Sequence, residues 1–223
     1  MDTAVVLETR SVVDALRSEM QGQILRGSIP AGTLLPEIFV AQQFEVARPT
    51  AKAAIEQLVN IGLLRRSRNK TARVPLLDAS DIADLYLTRG VIEGAVVHLL
   101  AERGEVPDGA IVALERFRAA IESGERIEEL VESDIQFHRA LAAATGSPRL
   151  RRLHESVIGE AHLCMAQVQA RHLLRPQIIA NEHKKILAMI RSRSIGRATA
   201  EMEAHLARAQ KKLVTYLRQE RPT

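Results

Sequence analysis

Helix-breaking residues recur through the later two thirds of this chain at intervals that leave room for helices and little else. Gly104 with Pro107, Ser123-Gly124, Gly146-Ser147-Pro148, Pro176 and Ser194 to Gly196 cut it into amphipathic pieces. Glycine ends a helix because it adopts the left-handed turn without strain, and proline because it cannot continue the hydrogen-bond ladder. The predicted helices are about 81–103, 108–123, 126–145, 148–174, 176–192 and 195–219. Aromatic residues make up only 3% and tryptophan is absent. The apolar content is aliphatic and interleaved with Arg and Glu, a mixture that costs little to fix in helical geometry. About six helices with short connections predict an antiparallel bundle, whose sites are built in the core from facing side chains.

The beginning of the chain reads differently. A helical pattern from about Thr9 to Leu25 places Val12, Val13, Leu16, Met20, Ile24 and Leu25 on one face. Arg26-Gly27 and Pro30-Ala31-Gly32 interrupt it; a short helix follows from about Pro36 to Phe44, and a third begins near Arg48 and ends at Gly62. In LLRRSRNKTARVPL, two short apolar or β-branched runs flank a turn near Asn69-Lys70, which predicts a small hairpin. Three helices and a hairpin describe a winged helix-turn-helix. Pro75 to Ser80 reads as the boundary, with Asp78 or Ser80 capping the next helix. The expected architecture is mainly α, with a winged helix-turn-helix over 1–76 and an all-helical domain over 77–223.

Net charge is +4, and its distribution is more informative than its size. Arg65, Arg66, Arg68, Lys70 and Arg73 crowd the hairpin without an acid among them. In a helix-turn-helix the early positions of the second helix reach base edges and phosphates in the major groove, which nominates Arg48, Thr50 and Lys52. Arg pairs bidentately with guanine, and Lys suits phosphate. Arg65, Arg66, Arg68 and Lys70 are expected along the flanking backbone or minor groove.

One cysteine, Cys164, forms no internal disulfide and points to a reducing compartment. The N-terminus MDTAVVLETR has no basic n-region ahead of an apolar core, and no window is apolar for the length of a membrane span. The expectation is a cytoplasmic protein without a membrane partner.

Of seven histidines, three stand out. His138 lies four residues after Asp134, on the same helical face. His183 accompanies Ile186, Leu187 and Ile190, and His205 sits between Met202 and Leu206. Three helices thus each carry a metal-competent group beside an apolar stripe, and burying these without partners is costly. Convergence on one divalent cation (zinc, nickel, manganese or iron) would satisfy them and leave coordination positions open on a six-coordinate metal. His98, His154, His162 and His172 are read as structural.

"LLPEIFVAQQFEVARPTAKAAIEQLVNIGLL" resembles the winged-helix reader of GntR-family transcription regulators, keeping Glu37, Val46, Arg48, Ala54, Leu58, Gly62 and Leu63. Ala47, Pro49-Thr50, Ala53, Ile38, Glu45 and Thr71 depart from that pattern, so an operator sequence is not carried over. "DIQFHRALAAATGSPRL" and "EHKKILAMIRSRSIGRATAEMEAHL" resemble the FCD ligand-binding domain of the FadR-like branch. The resemblance implies Asp134, His138, His183 and His205 as metal ligands. It also implies Arg89, in "YLTRGVIE", as a contact for the carboxylate of a small acid; an ion pair with Glu93, four residues on, accounts for Arg89 equally well.

The expected function is a transcription regulator, not an enzyme. A homodimer would bind a pseudo-palindromic operator in double-stranded DNA, because paired half-sites mirror a protein two-fold. A small organic acid at the metal would modulate that binding, and the resemblance implies a repressor. The competing readings are a metal-dependent hydrolase or lyase with a basic N-terminal domain, or a constitutive DNA-binding dimer. An enzyme would want a general acid or base beside the metal, and no sequence feature nominates one.

Overall fold

The computed structural model describes residues 11–68, 70–168 and 175–220. The expected helix start at Thr9, the turn residue Asn69, the 169–174 end of the helix predicted over 148–174, and His172 lie outside the described residues. The chain divides into two compact units between Pro75 and Leu76.

The first unit runs α1 (Val12–Leu25), β1 (Leu34–Leu35), α2 (Glu37–Gln43), α3 (Arg48–Asn60) and β2 (Ala72–Arg73). Ser11 caps α1 by accepting the Asp14 N–H at 3.1 Å. Leu16, Met20 and Ile24 of α1, Val40 of α2 and Ala54, Ile55 and Leu58 of α3 are buried, and both α1 and α2 pack against α3. Val12, expected on the inner face, is 62% exposed. A stripe at strict four-residue spacing drifts by about 40° per step, so its first member rotates away from a core centred on the later three.

The wing also differs from the expected hairpin. β2 pairs antiparallel with β1, Leu34 opposite Arg73 and Leu35 opposite Ala72. The segment after α3 adds a single bridge, Arg65 to Arg73. Val74 extends the β1 side, its carbonyl accepting from Gly32 N–H at 2.8 Å and its N–H donating to Thr33 O at 3.0 Å. Two-residue strands are too short to show alternation, so β1 has no legible signal in the sequence.

The second unit comprises α4 (Ala79–Arg103), α5 (Asp108–Ser123), α6 (Ile127–Ala144), α7 (Pro148–Gln167), α8 (Pro176–Arg191) and α9 (Ile195–Glu220). Asp78 starts α4 with a capping box, accepting from Ser80 and Asp81 N–H while Asp81 reaches back to the Asp78 N–H. Gly104 ends α4 at φ 70, a left-handed position that strains any residue with a Cβ. α7 stops at Gln167, with the Val168 N–H closing on Cys164 O. α4 lies along α9 and α7, α5 along α6 and α8, α6 along α7, and α8 along α9. Ile82, Leu100, Phe117, Ile135, Phe137, Ile158, Ile186 and Met202 form one continuous core between them. No helix among the described residues is long and apolar enough to cross a membrane.

Candidate metal centre and nucleic-acid face

Asp134 and His138 come from one face of α6, His183 from α8 and His205 from α9. One ligand-capable atom of each lies within 4.8 Å of the other three. The imidazole centroids are 5.3 Å apart for His138 and His183, 5.4 Å for His138 and His205, and 5.0 Å for His183 and His205. All four residues are buried. Packing fixes the rings: His183 stacks on Phe137 at 3.8 Å, and Phe117 stands 6.1 Å away. The four residues singled out in the sequence therefore meet at one point in the bundle.

Two further carboxylates aim the rings. Glu93 Oε2 lies 2.5 Å from His138 Nδ1, and Glu182 Oε2 lies 2.7 Å from His205 Nδ1. Each leaves Nε2 for the centre, the arrangement that orients histidine ligands in metal sites. Asp134 Oδ1, Glu93 Oε2 and both ring nitrogens of His138 and of His183 have no aligned hydrogen-bond partner, so Glu93 meets His138 as a close charge contact, whereas Glu182 hydrogen-bonds His205. Asp134 Oδ1 is 3.4 Å from His183 Nε2, and Asp134 Oδ2 is 3.9 Å from His138 Nε2. Each unsatisfied buried atom costs about 1–3 kcal/mol, so a carboxylate and three imidazoles left in this state fit a divalent cation.

The electrostatics keep these donors available. Burial pushes His138 below its ordinary pKa, against the pull of Glu93. His183 goes well below, by burial first and then by the neighbouring His205 and His138. Neutral imidazoles present lone pairs without first having to lose a proton. Burial opposes ionisation of Glu93, but Arg89 and His138 outweigh it and hold that carboxyl well below the usual range. Burial likewise works against Glu182, and its bonds with His205 and Arg208 pull it down.

Arg89 is buried; its Nε donates to Glu93 Oε1 at 2.7 Å and its guanidinium sits 4.9 Å over the Tyr86 ring. The expected ion pair is present, yet Arg89 Nη2 has no partner and the residue lines a cavity of ≈ 340 Å³ together with Asp134 and His205. Glu93 and Glu182 were missed by sequence reasoning as partners of the cluster. Glu182 had one signal: it immediately precedes His183 on a helix whose buried positions are otherwise apolar. His154 is buried with Nε2 3.7 Å from Glu93 Oε1, and His162 is buried 3.8 Å from Glu132. His98 is exposed beside Glu102. Cys164 is buried, its thiol pushed up to about 12 by that burial, which suits packing.

In the first unit, the turn between α2 and α3 carries Glu45 at φ 52, where the resembled pattern often has glycine. Arg48 and Lys52 are exposed on the first turns of α3, and Thr50 is half-buried. Arg48 Nε is 3.5 Å from Glu37 Oε2, and Lys52 Nζ is 3.9 Å from Glu56 Oε1. Arg66 lies between the same two acids, at 3.6 Å from Glu37 and 3.7 Å from Glu56. Arg65 holds the bridge to Arg73, while Arg68 and Lys70 are exposed beyond it.

A winged helix-turn-helix followed by a helical bundle with a buried aspartate–histidine cluster defines a DNA-binding transcription regulator. Residues 9–74 match the bacterial regulatory proteins of the gntR family and residues 84–208 match the FCD domain, so the chain belongs to the GntR family in the branch carrying that domain. It is 24% identical over 191 residues to the uncharacterized HTH-type transcriptional regulator YdhC of Bacillus subtilis (strain 168), covering 84% of each chain. It is 23% identical to the HTH-type transcriptional repressor NanR of Enterobacter sp. (strain 638), over 90% of this chain and 84% of that one. A GntR transcriptional regulator from Rhodococcus sp. RHA1 shares the fold, with a TM-score of 0.75 and 22% identity over 92% of this chain and 99% of that chain. Regulators of this family bind operator DNA and are typically dimeric, and FCD domains often bind metal.

Proposed function

We propose that this protein is a repressor whose grip on its operator is set by a small organic acid bound at a divalent metal in the helical domain. Asp134, His138, His183 and His205 would hold the metal, and Arg89 would meet the acid. The observation that carries this reading is the convergence of four buried metal-competent side chains, several without hydrogen-bond partners, two of which, Asp134 and His205, line a cavity. When bound, the cation supplies open coordination positions and positive charge to a carboxylate. Zinc, nickel, manganese and iron all suit the donor set.

The protein's own groups do the rest. Glu93 and Glu182 hold His138 and His205 by their Nδ1 atoms, so Nε2 stays directed at the centre. Glu93 balances the Arg89 charge while Nη2 is left to donate. For regulation, the acid must bind the DNA-competent and DNA-incompetent arrangements of a homodimer unequally; tight binding alone shifts nothing. Arg48, Thr50 and Lys52 would read the major groove, with Arg65, Arg68 and Lys70 along the flanking backbone and Arg66 held back by Glu37 and Glu56.

The test is operator retention by the wild type and by His138→Ala and His183→Ala, with and without chelator, across a panel of small acids. Metal loss together with loss of acid-sensitive release supports the reading. Unchanged metal content and unchanged acid response in both variants removes it, and turnover of an acid by the metal-loaded protein would favour the hydrolase or lyase.

A further inference from the structure

The cavity has a second end. Its metal-side end is formed by Arg89, Asp134 and His205. Arg175 lies seven residues before Glu182 on α8 and Lys212 seven after His205 on α9, so these two basic residues stand about 10 Å from the metal side, with Met165, Ile178, Ile179 and Leu206 supplying hydrocarbon to the lining. On α9, Arg208 and Lys212 follow His205 at i+3 and i+7, a stripe on one face that rises about 10 Å from the proposed ligand. Arg208 is engaged, at 2.7 Å from Glu182 and 3.5 Å from Glu201. Arg175 and Lys212 are exposed and have no side-chain partner among the described residues.

The polar inventory is as informative as the charge. Among the described residues no Asn, Gln, Ser or Thr lines the cavity, and apart from the His205 imidazole at the metal side the Tyr86 hydroxyl is its one uncharged polar side-chain group. A polyhydroxylated acid would bring several hydroxyls against Met165, Ile178, Ile179 and Leu206, stripping their water without replacing it. A methylene chain loses nothing there and gains from burial. The two acidic side chains of the lining, Asp134 and Glu182, are already committed to the histidine cluster and to Arg208. The far end therefore presents uncompensated positive charge.

We infer that the cavity takes an aliphatic dicarboxylate: one carboxylate at the metal and Arg89, a hydrocarbon middle, and a second carboxylate at Arg175 and Lys212. This rests on the metal–carboxylate reading above and specifies its ligand class.

The experiment is titration calorimetry on metal-loaded full-length protein at fixed ionic strength with hexanoate, adipate and glucuronate, which match in carbon number. Adipate should bind about tenfold or more tighter than hexanoate, equivalent to about 1.4 kcal/mol, and tighter than glucuronate. In the Arg175→Gln/Lys212→Gln double variant, both positions being exposed, the adipate advantage should collapse. An advantage that persists in the double variant overturns the second carboxylate site, and glucuronate binding tighter than adipate overturns the aliphatic class. Metal-dependent hexanoate binding without any adipate advantage sinks the dicarboxylate alone. Binding of all three acids that survives chelation, or binding of none, takes down the metal–carboxylate reading with it.

Discussion

Glu93 joins His138 to Arg89: its Oε2 is 2.5 Å from the imidazole Nδ1 and its Oε1 is 2.7 Å from the guanidinium Nε. One buried carboxylate thus orients a proposed metal ligand and neutralises the cation that lines the cavity. Replacing such an outer partner typically weakens metal binding by about 10–100-fold. Glu93→Gln should show that loss in competition with a chromogenic chelator. The same change leaves a buried guanidinium without its counter-ion, a loss of about 3–5 kcal/mol that urea unfolding would register. If metal affinity holds while stability falls, Glu93 serves Arg89 alone.

Metal removal should destabilise the wild type in a way that one variant lacks. A ligand held only by the folded state at about 100 times its Kd contributes about 2.7 kcal/mol. Chelation should therefore lower the wild-type Tm, and metal addition should restore it. His183→Ala should be insensitive to both. That variant loses the stacking on Phe137 but also loses two buried nitrogens without partners, so its metal-free form should still fold. A metal-dependent Tm shift that survives in His183→Ala would place the cation elsewhere.

His162 gives a pH prediction away from the cluster. Burial pushes its imidazole down to about 4, although Glu132 stands 3.8 Å away. Between an unfolded value near 6.5 and that folded value, the unfolded chain binds one more proton than the native one. Stability therefore rises with pH across this window and is lost as pH falls, by about 1.4 kcal/mol per unit for this one group. His162→Gln should flatten the fall of urea midpoint with acidification in metal-free protein by about that slope. An unchanged pH profile would mean that His162 protonates in the folded state at its ordinary value.

The particular residues explain what was readable in the sequence. The bundle helices begin and end at Gly104, Gly124, Pro148 and Pro176, whose effects are local and need no tertiary knowledge. The convergence of Asp134, His138, His183 and His205 was legible because they interrupt otherwise apolar stripes. Arg89 and Glu93 were legible as an i,i+4 pair, and they are one. The second oxygen of Glu93 was not, because it faces another helix, and no spacing within α4 announces a partner on α6. Glu182 and His205 pair across α8 and α9 for the same reason. In the wing, β1 escaped because two residues carry no period, and the pairing of β2 with it follows from chain geometry around Gly32 and Val74.

The ion pairs of the first unit divide the basic residues into two groups. Arg66 is 26% exposed by side chain and lies between Glu37 and Glu56, so its charge is largely answered within the protein. Arg68 and Lys70 are exposed on the wing. Each phosphate contact contributes about 0.9 to the slope of log affinity against log salt on duplex DNA. Arg68→Gln and Lys70→Gln should each lower that slope by about one and weaken all sequences alike. Arg66→Gln should leave the slope nearly unchanged and lower the stability of the winged unit, by about 1 kcal/mol or less for a partly exposed pair. Arg48→Gln and Lys52→Gln should instead alter discrimination between operator variants, because they stand on the first turns of α3. The measurement is operator binding across a salt series for all five variants. A uniform drop in affinity and slope from every one would show that α3 does not read the groove from its N-terminal turns.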